Sequence, residues 1–116
     1  MTFENIKSAT HSAHLMDGIF ELVESGKKKL EVRINRGKFA NVKVGDTIKF
    51  HNTAGTEVAK VVVAISKLKS IEDVVAQFEV EEMLPGYTVD QALQTWKKID
   101  PDKVSVEFGI LVFELA

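Results

Sequence analysis

Four stretches of the chain carry the hydrophobic pattern of β-strands. Residues 30–34, LEVRI, alternate apolar and charged side chains with a period of two, and residues 47–50, TIKF, do the same. Such alternation predicts strands with one buried face. The apolar run at residues 58–68, VAKVVVAISKL, is typical of a long, well-buried strand. A further apolar run at residues 107–115, EFGILVFEL, predicts the final strand.

Three other stretches predict helices from their caps and spacing. Residues 18–26, GIFELVESG, follow Asp17, which we expect to cap a short helix that ends at a glycine. Ser70 is placed to cap a second helix at residues 71–78, where the helix dipole favours the two acids of the first turn. Residues 89–99, VDQALQTWKKI, have apolar side chains at i, i+3, i+4 and i+7, the spacing of an amphipathic helix.

The predicted order of elements is one helix, three strands, two helices and one strand. The first ten residues have no clear period, so we expect a mobile arm or a short edge element there, with an extra strand as the alternative. Consecutive short strands joined by turns favour a mainly antiparallel sheet curled into a small β-barrel, with helices covering its edges. The predicted fold class is therefore α+β, and we expect a single domain over residues 1–116.

Composition narrows the function classes. The chain has 116 residues and no cysteine, which excludes disulfides and thiolate metal sites and is consistent with a reducing cytoplasm. The N-terminal sequence has no apolar core of signal-peptide length. No apolar run approaches the ~20 residues that a transmembrane helix needs. We therefore expect a cytoplasmic protein with no membrane partner.

Charge is distributed unevenly along the chain. The formal net charge is −2, yet residues 27–49 contain eight basic and only two acidic side chains. The rest of the chain contains seven basic and fifteen acidic side chains. A segregated positive field of this kind can steer an anionic ligand to the protein. The alternative is that the lysines only keep a surface solvated.

Common catalytic and metal-binding motifs are absent from the sequence. It has neither a phosphate-binding loop nor a dinucleotide-binding glycine fingerprint, and we expect no cofactor. His11 and His14 are three residues apart, a spacing that suits a metal only on a helix, and their segment has no helical pattern. We therefore expect no metal site.

The charged residues of the first predicted strand are the strongest candidates for chemistry. If its apolar residues face the core, Lys29, Glu31 and Arg33 lie together on the opposite face. A carboxylate beside cations stays ionised, and it can fix an arginine so that the remaining donors are free for a phosphate or a base. The alternative is a cross-strand ion pair on an exposed face, which contributes only ~0–1 kcal/mol. The spacing alone leaves both interpretations open.

Three segments together resemble one family. "SGKKKLEVRIN", followed by "VKVGDTIKF" and then by "EFGILVFEL", resembles the ASCH domain family, which is typified by a G-x-K-x-x-E-x-R motif, a G-D-x-I-x-F strand and a C-terminal strand with a glycine. The resemblance extends over residues 11–115. The matching positions in this chain are His11, Gly26, Lys28, Glu31, Arg33, Gly45, Asp46, Ile48, Phe50 and Gly109.

The resemblance implies a fold, a site and a class of ligand. The fold would be a PUA-like β-barrel with the motif lining a cleft beside it, and the ligand would be RNA, a nucleotide or a nucleoside. The ligand-binding residues would be His11, Lys28, Lys29, Glu31, Arg33 and Lys38. Aromatic side chains near plausible openings are Phe39, Phe50, Tyr87 and Trp96. The helical spacing of Trp96 also favours a place in the core.

Two other functions remain open. A hydrolase acting on RNA or on a modified nucleoside would use Lys28 and Glu31 as catalytic residues. One branch of the family hydrolyses acetylcytidine with a lysine, a threonine and a later glutamate. Its lysine aligns with Lys28, but Glu31 occupies the threonine position, and only Glu81 and Glu82 lie near the position of the later glutamate. The third possibility is a protein-interaction module. The sequence leaves enzymatic activity and oligomeric state undecided.

Overall fold

The computed structural model describes residues 8–116, so most of the N-terminal arm expected from the sequence lies outside the described residues. A five-stranded sheet curls into a half-barrel and is covered by helices, which confirms the predicted α+β class. The strands are β1 (Thr10–His14), β2 (Leu30–Ile34), β3 (Thr47–His51), β4 (Glu57–Leu68) and β5 (Ile110–Leu115). The helices are α1 (Asp17–Glu24), α2 (Ile71–Gln77), α3 (Val80–Met83), α4 (Val89–Ile99) and α5 (Val104–Phe108).

The sheet has the strand order β1-β3-β4-β5-β2. Its β3–β4, β4–β5 and β2–β5 pairs are antiparallel, whereas β1 pairs with β3 in parallel and supplies the extra N-terminal strand. The two edge strands are therefore β1 and β2.

No helix among the described residues is long and apolar enough to cross a membrane.

Both faces of the sheet are covered, and each has its own hydrophobic cluster. Inside the half-barrel, Phe20 of α1 packs with Phe50 and Phe113 from the strands, and all three are almost completely buried. On the outer face, Val112 and Leu30 pack with α2, α3 and α4. Strand β2 therefore contributes apolar side chains to the outer cluster and turns its alternate residues toward the inside of the half-barrel.

One of the two helix caps predicted from the sequence, that of Ser70, is present. The hydroxyl of Ser70 accepts a hydrogen bond from the backbone N–H of Asp73 at 3.1 Å, as predicted for α2. Helix α4 begins with a capping box, which the sequence analysis did not identify, between Thr88 and Gln91. The prediction that Asp17 caps α1 was wrong, because Met16 occupies the cap position and Asp17 is the first helical residue.

The ends of the sheet depart from the predicted strands. Residues 107–108 belong to helix α5, and the last strand begins only after Gly109, which has a φ of 82°. A β-carbon at this position would also lie 3.2 Å from the carbonyl oxygen of Leu68, so a glycine is needed there. Strand β4 was expected to be well buried, but only Val62 is buried, and the other residues of the strand are half-buried or exposed.

Asp46 fastens the edge strand β1 to the turn before β3. One carboxylate oxygen accepts the backbone N–H of Ala9 at 2.9 Å, and the other accepts His11 Nε2 at 2.8 Å and the N–H of Lys43 at 3.0 Å. Donation by Ala9, then by His11 and Lys43, lowers the pKa of Asp46 to about 2. The carboxylate thus acts only as an acceptor and connects β1, with the residue before it, to the turn before β3.

We expect the Asp46→Asn substitution to destabilise the fold by about 1–3 kcal/mol at neutral pH, because the amide group turns a donor toward existing donors. A carboxylate with a depressed pKa contributes its stability above the pKa of the unfolded chain, near pH ~4, and loses it as the pH falls through the folded value of about 2. The difference between wild type and variant should therefore shrink over this interval. Urea denaturation at a series of pH values measures it.

The matched control is Asp102→Asn, which changes an exposed aspartate in the loop after α4. It should leave the free energy of unfolding within about 0.5 kcal/mol of wild type. An Asp46→Asn variant as stable as this control at neutral pH would contradict the assigned role of Asp46.

Candidate functional site

A cleft of about 390 Å³ opens between the start of α1, strand β2 and the helices α2 to α4. Three charged residues form its floor: Lys28, Glu31 and Arg33. Its walls are mainly apolar and include Val75 and Trp96. The cleft therefore combines one compact group of charges with a largely hydrophobic enclosure.

Lys28 reaches the floor because the chain turns sharply after α1. Gly26 adopts a φ of 80°, and the side chain of Lys28 then runs into the interior, where only 4% of the residue is exposed. Its Nζ donates to the carbonyl oxygens of Leu30 at 2.5 Å and Met83 at 2.7 Å and lies 3.3 Å from Glu31 Oε1. Burial lowers the pKa of Lys28, and the charge of Glu31 only partly opposes this effect. These three acceptors match the three N–H bonds of the ammonium group.

Glu31 is the centre of the charged group. Its Oε1 faces Lys28 and accepts the backbone N–H of Val32, and its Oε2 accepts Arg33 Nη2 at 2.9 Å and Nε at 3.3 Å. Burial favours the neutral acid, but the two cations outweigh it and hold the pKa of Glu31 below its usual value. Glu31 is therefore an ionised, buried carboxylate with donors on both oxygens.

Arg33 is held on several sides. Besides its two hydrogen bonds to Glu31, its Nη2 donates to the carbonyl oxygen of His14 at 3.2 Å. Its guanidinium group also lies over the ring of Phe39, 4.7 Å from the centroid, a cation–π contact. Since His14 ends β1 and Arg33 belongs to β2, this side chain connects the two edge strands of the half-barrel.

Of the six side chains proposed from the sequence as ligand contacts, the structure brings three into the cleft, and these are Lys28, Glu31 and Arg33. Lys29 and Lys38 are exposed outside it. Lys38 Nζ lies 5.5 Å from the centroid of the Phe39 ring that supports Arg33. His11 also lies outside the cleft, where it is bound to Asp46.

Other residues of the cleft were not identified from the sequence as site residues. His14 lines the rim of the cleft. From the sequence it was considered only as a metal ligand, and no metal site was expected. Met83 contributes both a wall and the carbonyl oxygen that binds Lys28, but the short helix α3 that places it has no periodic signal. Trp96 is buried, as its spacing predicted, and one part of it also borders the cleft together with Tyr87.

The charges of the cleft determine what it can bind. Two cations and one carboxylate leave a net charge of +1 at the floor. Within residues 8–116, no cluster of three or more acidic or histidine side chains could hold a metal ion. The arrangement is therefore suited to a mainly apolar ligand that has an electron-rich group at one end.

Solved structures with the same fold were found by structural comparison. The hypothetical protein PH0355 superposes with a TM-score of 0.80 and 23% identity, over 92% of this chain and 96% of that chain. Protein PF0455 from Pyrococcus furiosus has a TM-score of 0.74 and 24% identity, over 91% and 94%. The ZmASCH S128A mutant protein from Zymomonas mobilis has a TM-score of 0.68 and 14% identity, over 92% and 67%. At these identities the likeness establishes the fold.

Sequence comparison identifies the family. The comparison with curated proteins gave no significant match. The model of the ASCH domain matches residues 14–107, which is most of the chain and includes the whole charged group of the cleft. This match agrees with the resemblance found in the motifs, and one structural neighbour, ZmASCH, has the family in its name. The chain therefore belongs to the ASCH domain family.

Proposed function

We propose that this domain binds RNA and takes one unpaired base, or a free nucleoside, into the cleft. The ASCH family is PUA-like and linked to RNA binding. The observation that carries the proposal is the pairing of a fixed, positively charged floor with apolar and aromatic walls in one cleft. Proteins recognise single-stranded RNA by stacking splayed-out bases on aromatic side chains and by hydrogen bonds to the base edges.

The size and walls of the cleft support a base as the ligand. A volume of about 390 Å³ lies within the usual range of small-molecule sites, about 300–1,000 Å³. Tyr87 is 38% exposed at the rim, and Trp96 forms part of the wall. Every base has an apolar face, and stacking on an aromatic ring contributes about 1–3 kcal/mol per base.

The surroundings of the cleft support an RNA backbone that continues beyond it. Lys29 follows Lys28 directly and is exposed, and Lys38 lies close to the Phe39 ring that supports Arg33. Both lysines belong to the basic segment at residues 27–49. Exposed lysines around a base-sized cleft are suited to the phosphates of neighbouring nucleotides.

A nucleoside hydrolase is the second candidate, and one observation favours it. Burial lowers the pKa of Lys28, which is the property that a lysine base requires, and Glu31 lies within 3.3 Å of it. The hydrogen bonds of Lys28 to two carbonyl oxygens argue in the other direction, because they stabilise its protonated form. Binding without turnover is therefore the better supported function.

We expect binding of a short single-stranded RNA to weaken steeply with salt, and less steeply in a Lys29→Ala, Lys38→Ala double variant. Loss of two phosphate contacts should reduce the slope of log K against log salt concentration by about 1.4, since each contact to a single strand contributes about 0.7. Fluorescence anisotropy over a salt series measures this slope.

The matched control for this experiment is the double variant Lys60→Ala, Lys67→Ala, whose two lysines lie on β4, outside the basic segment at residues 27–49, and do not line the cleft. It removes the same net charge and should leave the slope near the wild-type value. If both double variants reduce the slope equally, the effect comes from net charge alone. This result would refute the proposal that Lys29 and Lys38 contact the RNA phosphates.

We expect Tyr87→Ala to weaken binding of the same RNA by about 5- to 150-fold, because a stacked base loses its aromatic support. Phe108→Ala is the matched control, since Phe108 is 42% exposed, Tyr87 is 38% exposed, and Phe108 lies outside the cleft. The affinity of the control should stay within about twofold of wild type. If the two variants bind equally well, the base does not stack on Tyr87.

For the hydrolase, the test is incubation of the protein with N4-acetylcytidine and with total RNA, followed by chromatography of the products. The proposal of binding without turnover predicts no product from either substrate. Turnover that disappears in a folded Lys28→Met variant would instead establish the hydrolase, because this substitution keeps most of the length of the side chain and removes its amine. Thermal unfolding of the variant checks that it is folded.

A further inference from the structure

We infer that the floor of the cleft selects ligands by their acceptor edge, so that it takes bases with a ring carbonyl, such as uracil, guanine or hypoxanthine, in preference to adenine. This inference rests on the proposed function and adds the class of base to it. It follows from which hydrogen-bonding groups at the floor are already satisfied and which one is not.

The floor has no free carboxylate oxygen to offer an incoming amino group. Glu31 is its only carboxylate, and both oxygens of Glu31 already accept hydrogen bonds or face a cation: Oε1 at Lys28 and the Val32 N–H, Oε2 at two nitrogens of Arg33. The side chain of Glu31 is only 7% exposed. A ligand amine directed at Glu31 would therefore meet the donors of Lys28, Val32 and Arg33 and no free carboxylate oxygen.

The donor that the floor does offer belongs to Arg33. The Nζ of Lys28 is occupied by two carbonyl oxygens and Glu31, so it contributes charge and no accessible N–H. In Arg33, Nε and Nη2 are engaged, whereas Nη1 has no hydrogen-bond partner among residues 8–116. The side chain of Arg33 is 25% exposed and lines the cleft. Its Nη1 therefore presents two N–H bonds toward a ligand.

The orientation of this donor is fixed before a ligand arrives. Glu31 holds two nitrogens of the guanidinium group, the carbonyl oxygen of His14 holds one edge, and the ring of Phe39 covers one face. Rotation of the group would break several of these contacts at once. A donor that cannot turn away discriminates between ligands, because a mismatched ligand leaves both partners unpaired.

The apolar walls favour a base carbonyl over a phosphate as the acceptor. Val75, Met83 and Trp96 surround the floor, and a phosphate would lose its hydration there while only one net positive charge compensates it. A carbonyl oxygen on an aromatic ring loses much less hydration. Adenine has only ring nitrogens as acceptors, and each is flanked by its amino group or its ribose linkage. Hypoxanthine has instead an exposed carbonyl oxygen, which can accept an N–H bond of Nη1.

Inosine and adenosine form a matched pair of probes, because they share the ribose and the purine skeleton and differ at the edge that carries the carbonyl or the amino group. Each nucleoside is titrated into the isotope-labelled protein, and binding is monitored through the amide chemical shifts. Inosine should bind at least about tenfold more tightly than adenosine. The affected amides should include those of β2. A third titration with inorganic phosphate should neither shift these amides nor displace inosine.

Two variants assign the preference to Arg33. In Arg33→Lys the positive charge remains, but one ammonium group cannot bind Glu31 and also extend a fixed N–H pair into the cleft, so the preference for inosine should fall to less than about twofold. Arg36→Lys is the control, because Arg36 lies outside the cleft and follows the same strand. It should keep the wild-type preference. Thermal unfolding curves establish that both variants are folded.

Three results would overturn the inference: equal affinity for the two nucleosides, a preference that persists in folded Arg33→Lys, or displacement of inosine by phosphate. Each is distinguishable from failure of the proposed function. If single-stranded RNA binds through the cleft, as Tyr87→Ala reports, and the nucleosides show no preference, then only the selection by Arg33 is wrong. If neither RNA nor nucleoside binds, both proposals fail.

Discussion

The burial of Glu31 between two cations is the interaction on which the rest of the site depends. A buried carboxylate is costly unless it is paired and hydrogen-bonded, and here Lys28 and Arg33 compensate it from opposite sides. The same cations bind backbone carbonyls of other elements: Met83 in α3 and His14 at the end of β1. One carboxylate thus fixes the relative positions of a helix, the two edge strands and the turn after α1.

This arrangement explains why the basic residues of the motif segment differ in whether they can contact a ligand. Lys28 has a structural role, since it is buried and its three N–H bonds already have acceptors, so none is free for a ligand. Arg33 is positioned by the structure but keeps one nitrogen accessible. Lys29, next to the motif lysine, is exposed and takes no part in the charged group. Basic residues within a short segment therefore divide into a structural cation, a positioned donor and a solvated surface.

Much of the fold was predictable because its signals are local. Period-two alternation located β2 and β3, and the cap at Ser70 located the start of α2. The alternation also predicted that Glu31 and Arg33 share one face of β2, but it could not show that this face points into a half-barrel and not toward solvent. Burial of a strand on both faces depends on the closure of the sheet, and no local pattern records it.

The part of the site that could not be predicted comes from backbone groups and from distant elements. A carbonyl oxygen carries no trace in the sequence, so neither the Met83 contact to Lys28 nor the His14 contact to Arg33 has a signature in residue type. The spacing left two interpretations of Glu31 and Arg33 open: an exposed ion pair, or a carboxylate that fixes an arginine. These two contacts support the second interpretation. An exposed ion pair would leave Glu31 hydrated and Arg33 mobile, whereas the buried group holds Arg33 in place and uses all three N–H bonds of Lys28. The contacts from which selective binding by Arg33 is proposed are therefore part of the same group that occupies the amine of Lys28.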